Sequence, residues 1–340
     1  MWRLNARLRP AMALHFASHF VIFFVASLLL LSLVLRFDPL TVSAAAFLLT
    51  VASMAIEWLT GPNLVTSLLR PRWLEKKDDL VLWSLVQGEA SRAGVKIGKI
   101  GIVEEDSPNA MIVASPTGQP ALVFTRGLLY GLTYREVRSA SAYLMGASKS
   151  GFLGASTTYS GLLTISYKFT AGYIESQVKG RKGNIYEIIL AALGYCIYGL
   201  AAPLSVMASK PMSLYSDEYS ITQDPASFLT MLLKVADGTS GRPEGPSRTR
   251  FTPLKGLMLL DPTIALRDSE GLVRTAQSYG IDVSRLIGVP AKTNGRKEEI
   301  EFHGFEKFWS QPNLIDRFRH AVSLGKKVET PIKVGLTWIE

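Results

Sequence analysis

Ala11 to Leu35 is a run of 25 residues without a charged side chain, and Leu40 to Ile56 is a second run of 17. Only Arg36, Phe37, Asp38 and Pro39 separate them. A helix of about 20 apolar residues spans the hydrocarbon core of a bilayer and satisfies its own backbone polar groups there. The two runs therefore read as a transmembrane hairpin. Arg3, Arg7 and Arg9 precede the first run as they would in a secretion signal. That run is too long for a signal core, however, and no small-residue cleavage site follows it. These runs, with others later in the chain, account for a hydrophobic content of 48% in 340 residues.

Ile188 to Ala208 is a further apolar span and contains the only cysteine, Cys196. Gly151 to Tyr167 is rich in Gly, Ser and Thr and ends at Lys168. Small residues let helix backbones approach closely in lipid, so this segment is expected to cross while packed against its neighbours. Four spans are expected in total. Arg3, Arg7, Arg9, Arg70, Arg72, Lys76 and Lys77 flank the first hairpin and place both polar regions in the cytoplasm of a multi-pass protein of the cell membrane. The segment "IESQVKGRKGN" opposes this rule, since Lys179, Arg181 and Lys182 would then face outward. A single cysteine excludes an internal disulfide and fits a reducing compartment. The net charge of +9 matches positive-inside flanks and anionic membrane lipid. No stretch interleaves basic and aromatic residues as a nucleic-acid surface would.

The polar sequence reads as α/β. "DDLVLWSLVQGEASRAG" has helical periodicity and stops at Gly94, "IGKIGIV" and "ALVFT" are strand-like, and "NAMIVAS" alternates as an edge strand does. In "LTYREVRSASAYLMGA", residues 132–147, Thr133 and Glu136 form a capping box that starts a helix. "SDEYSITQDPASFLTMLLKVADG" suggests two helices split at Asp224-Pro225. "GTSGRPEGPSRTR" (238–250) is a Gly/Pro/Ser linker, and a last strand is expected in "PIKVGLTWI". The chain thus divides into a membrane hairpin (1–60), the first half of a soluble domain (61–150), a second hairpin (151–208) and the second half of that domain (209–340). The class is an α+β membrane protein.

The stretch "SPNAMIVASPTGQPALVFTRGLLYGLTYREVRSASAYLMGA" resembles the HtpX family of membrane zinc metallopeptidases, relatives of the CAAX prenyl proteases. Matching positions are Pro108, Asn109 and Ala110, then Thr125, Gly127, Leu128, Leu129, Leu132, Thr133 and Glu136. The order of spans matches too, and the similarity extends over roughly residues 10–320. The resemblance implies a cytoplasmic metallopeptidase-like domain with a zinc-binding His-Glu-x-x-His helix. Here the two histidine positions are Tyr143 and Ala147, and the general-base position is Leu144. The third ligand, a glutamate four residues before an aspartate, falls on Ser213 with Asp217 retained; a second register makes Glu218 the ligand, with Thr222 replacing the aspartate. "SQPNLIDRF" is similar to a later family segment, with Gln311 in place of a histidine and Arg317 kept.

The resemblance therefore implies a pseudopeptidase without zinc or another cofactor. Glu136, Asp217 and Arg317 remain as structural positions. In active relatives an edge strand binds substrate through backbone hydrogen bonds that need no metal. Asn109, Ala110, Met111, Ile112, Val113 and Ala114 are therefore expected to contact an extended segment of a partner or of the chain's own linker. The expected partners are a peptide, a membrane protein or a membrane complex. Two alternatives stand: a working metallopeptidase using Glu218 with His303 or His320, and a structural subunit whose groove is filled. His15 and His19, four apart in the first span, read as an interhelical hydrogen-bonding pair.

Overall fold

The computed structural model describes residues 2–34, 38–115, 118–178, 185–241, 251–287 and 311–327. Helix α1 (Trp2–Val34) and helix α2 (Pro39–Leu69) form the expected hairpin. Asp38 starts α2: its carboxylate accepts from the amides of Leu40 and Thr41 at 3.1 and 3.0 Å, and Pro39 occupies the first turn. The helix ends at Arg70, which adopts a left-handed φ of 49°. Within the hairpin, buried Thr50 donates to Ser27 at 3.4 Å.

A four-stranded sheet follows, in the order β1-β2-β4-β3. Its strands are β1 (Arg72–Trp73), β2 (Lys99–Val103), β3 (Ala110–Val113) and β4 (Ala121–Thr125). β2 and β4 run parallel, and β3 pairs antiparallel with β4, Met111 opposite Val123. Helix α3 (Leu80–Ala93) is capped by Asp79 and stops at Gly94, whose φ of 66° suits a residue without Cβ. Helix α4 (Arg126–Gly131) leads into α5 (Tyr134–Lys149), which Thr133 and Glu136 start with a complete capping box. Glu136 also accepts from Lys234 at 2.9 Å, fixing α5 to α8 (Pro225–Ser240).

Helices α6 (Leu153–Val178) and α7 (Ile185–Gln223) make the second long pair. Among the described residues three helices are long and apolar enough to cross a membrane: α1 over Met12–Leu29, α2 and α7. The fourth expected span, within α6, is not among them. Its 26 residues suffice in length, but its faces are covered by protein, with residues 155–164 all buried. A helix so enclosed has little need of apolar side chains for lipid, so the Gly, Ser and Thr content sets how closely its neighbours approach. A Cβ on Gly161 would lie 2.8 Å from the Cα of Gly61 on α2, and one on Gly194 of α7 would lie 3.0 Å from the Ser166 carbonyl oxygen. α7 is 39 residues long and continuous through Pro203 and Pro211, so the boundary expected at 208/209 lies inside a helix, as does that at 60/61.

The last described elements are a 3₁₀ turn (Thr252–Leu257), α9 (Pro262–Ser278), α10 (Ser284–Ile287) and α11 (Leu314–Lys327). α8 runs three residues into the expected linker, and 242–250 lies outside the described residues, as do 179–184, His303 and the expected last strand. One hydrophobic core runs from the sheet across α5, α7, α8, α9 and α11.

Candidate functional site

Residues 139–147 of α5 are all buried. The helix lies so close to α7 that a Cβ on Gly146 would sit 2.8 Å from the Cα of Ser216. Across this contact Tyr143 donates its hydroxyl proton to Ser213 at 3.1 Å. Burial pushes the Tyr143 phenol up to about 12, against the opposing charge of Arg317. Leu144 and Ala147 pack in the core beside Met145.

Arg317 of α11 reaches the same place. Its Nε and Nη2 donate to the two carboxylate oxygens of Asp217 at 2.9 and 2.7 Å, and neither side chain is exposed. Such a bidentate pair satisfies the carboxylate and most of the guanidinium. The guanidinium carbon lies 5.4 Å from the centroid of the Tyr143 ring, a cation–π arrangement. Nη1 donates to the Leu259 carbonyl and to Gln311 Oε1, both at 3.3 Å. Tyr143, Ser213, Asp217, Arg317 and Gln311, drawn from three helices and the turn before α11, thus form one buried hydrogen-bonded and stacked group. Of the other residues singled out in the sequence, Glu218 is half-buried on α7 and His320 is exposed on α11.

The strand expected to bind a peptide is the edge of the sheet, and residues 109–113 are buried. Residues 258–260 lie across its outer side. Met258 bridges Met111 in antiparallel fashion, and the Leu259 amide donates to the Ala110 carbonyl at 2.7 Å. Asn109 grips Leu260 from both sides: its Nδ2 donates to the Leu260 carbonyl at 2.7 Å and its Oδ1 accepts from the Leu260 amide at 3.3 Å. Gln311 holds the other flank, donating to the Met258 carbonyl at 2.6 Å and accepting from the Asp261 amide at 3.0 Å. At the far end of the strand the Ala114 amide donates to Thr157 of α6 at 2.9 Å.

The chain is similar to proteins named protease HtpX homolog. That of Aeropyrum pernix is 22% identical over 303 residues, 86% of this chain and 90% of the relative. Those of Lactobacillus helveticus and Paraburkholderia phytofirmans are 21% and 24% identical over 199 and 183 residues. These shorter matches cover 54% and 53% of this chain, and 66% and 64% of the relatives. No protein-family model and no solved structure matches this chain.

The residues that this chain presents do not fit a zinc ion. Zinc takes imidazole, thiolate or carboxylate donors. Ala147 has no donor atom, and the Tyr143 hydroxyl is engaged with Ser213 at 3.1 Å. The one carboxylate in the group, Asp217, already holds both oxygens on the Arg317 guanidinium. Among the described residues no three His, Cys, Asp or Glu side chains come together as a metal site.

Two features of this site lie beyond sequence reasoning. Gln311 stood out only as a replaced histidine, yet it fastens a backbone segment 53 residues away. The segment 258–260 carried no signal of its own; the Met-Leu-Leu run reads as core.

Proposed function

We propose that this chain is a catalytically inactive HtpX-like pseudopeptidase of the membrane, which keeps the peptidase frame as a scaffold for a protein or membrane-complex partner. The supporting observation is the buried Tyr143–Ser213–Arg317–Asp217 group at the positions that correspond to zinc ligands and their surroundings. A hydrolase needs there a metal or a base to activate water. Leucine at 144 accepts no proton. Against the atypical-ligand reading, His320 is exposed on α11 while Glu218 is half-buried on α7, and no three possible ligands come together among the described residues.

The proposed arrangement is multi-pass, with the sheet-bearing domain in the cytoplasm beside the basic flanks at Arg70, Arg72, Lys76 and Lys77. In it α6 is a fourth span, sheltered from lipid by α2 and α7. The partner engages the lipid-facing helices or the rim of the domain, since the edge strand is covered by residues 258–260.

Incubation of the purified protein with an unfolded fluorogenic protein substrate tests this reading. The expected result is no hydrolysis that a chelator abolishes. Chelator-sensitive hydrolysis that also vanishes in Glu218→Gln or His320→Asn would overturn it in favour of an active enzyme with unusual ligands.

A further inference from the structure

His19 of α1 is buried among membrane-facing helices and carries two contacts that the pseudopeptidase reading leaves unused. Its Nδ1 lies 2.6 Å from the hydroxyl of Tyr159 on α6, and its Nε2 lies 3.2 Å from Oε2 of Glu57 on α2. Among the described residues these are the titratable groups touching the imidazole; its other ring neighbour is Phe23 of α1, at 4.6 Å between centroids. The side chain of His15 lies outside the described residues. Glu57 Oε2 and His19 Nε2 are fully shielded, and their angles miss hydrogen-bond geometry although the distance fits an ion pair. The hydroxyls of Ser156 and Ser160, on the same face of α6 as Tyr159, are also buried without a hydrogen-bond partner.

We propose that His19, Glu57 and Tyr159 form a proton-binding site inside the helix bundle, where one bound proton joins α1 and α2 to α6. The argument is charge balance. With no bound proton, a carboxylate beside a neutral imidazole leaves a net negative charge in a medium that solvates it poorly; one bound proton makes the pair neutral, and the imidazole can hold it because both ring nitrogens face oxygens. In the protonated form Nδ1–H donates to the Tyr159 oxygen and Nε2–H faces Glu57. On release the proton leaves Nδ1, Tyr159 turns its hydroxyl to donate to that nitrogen, and the carboxylate charge is uncompensated. Ser156 and Ser160 supply further polar atoms on the same helix face. Two residues before Tyr159, Thr157 accepts from the Ala114 amide at the end of the covered edge strand.

Nitrogen NMR of histidine-labelled protein in lipid nanodiscs at about pH 7.5 reads the site, since an ordinary histidine is mostly neutral there. The His19 signal, assigned as the one lost in His19→Gln, should show both ring nitrogens protonated. In Glu57→Gln the same ring should become neutral, with one unprotonated nitrogen. In Tyr159→Phe it should keep its charge while the Nδ1 shift moves. A neutral His19 in the unmodified protein overturns the proposal by itself, even where the variants fail to fold. An imidazolium that persists in Glu57→Gln overturns it equally.

Discussion

Arg317 shows how one side chain is tolerated where a bare charge is not. Its guanidinium is buried, but Asp217, Gln311 and a backbone carbonyl take its protons while the Tyr143 ring covers one face. Removing one partner of a buried ion pair costs about 3–5 kcal/mol because the other charge stays behind. Arg317→Met should therefore lower unfolding stability by about that amount, and Asp217→Leu in the same chain should recover much of it. Denaturant unfolding in detergent checks both. Tyr143 gives a pH test. Its folded value of about 12 lies above the ordinary tyrosine value of about 10, so its contribution is complete below pH 10 and is lost as pH rises toward 12. Between those values the unmodified protein should lose on the order of 2 kcal/mol more than Tyr143→Phe does. An equal alkaline loss in both would mean that the phenol is not held in this environment. Thr133 and Glu136 were legible in the sequence as a capping box because a cap depends on residues three apart. Gln311 was not, because its partners lie about 50 residues away.

At the scale of elements, two cases separate what sequence pattern can and cannot convey. α3 was readable from its periodicity and from Gly94, and α8 from Asp224-Pro225, since starts and stops are local. The covering of β3 was not, because Asn109 and Leu260 are 151 residues apart and nothing local to Leu260 marks it as the partner. Asn109→Ala removes both clasps on Leu260 and should cost about 2 kcal/mol. Hydrogen exchange at residues 258–261 should rise in that variant while exchange in α5 stays slow. Unchanged protection would mean that the segment is held by Gln311 and Arg317 alone. For α6, the Gly, Ser and Thr content keeps it below the three apolar helices in hydropathy, and the helix meets mostly protein. A cysteine at Ser176, in a Cys196→Ser chain, should react with an impermeant thiol reagent on intact cells if α6 crosses. Labelling only after lysis would place 172–184 on the inner side.

For the whole molecule, the membrane hairpin, the α+β domain and the HtpX-like likeness follow from patterns that survive low identity: apolar length, capping residues and ordered short motifs. The Tyr143–Arg317 group depends instead on three helices and a turn meeting in space. There the phenol of Tyr143 and the hydroxyl of Ser213 meet at two positions that the resemblance assigns to zinc ligands, with the Arg317 guanidinium stacked beside them. Such a group is stable without a cation, and a ligand that binds only the native state would raise its stability by mass action. The most direct test is therefore the zinc content of detergent-purified protein, measured with its melting temperature before and after chelation. We predict well under one zinc per chain and no shift on chelation. Stoichiometric zinc, with a melting temperature that falls when the metal is removed, would contradict the account.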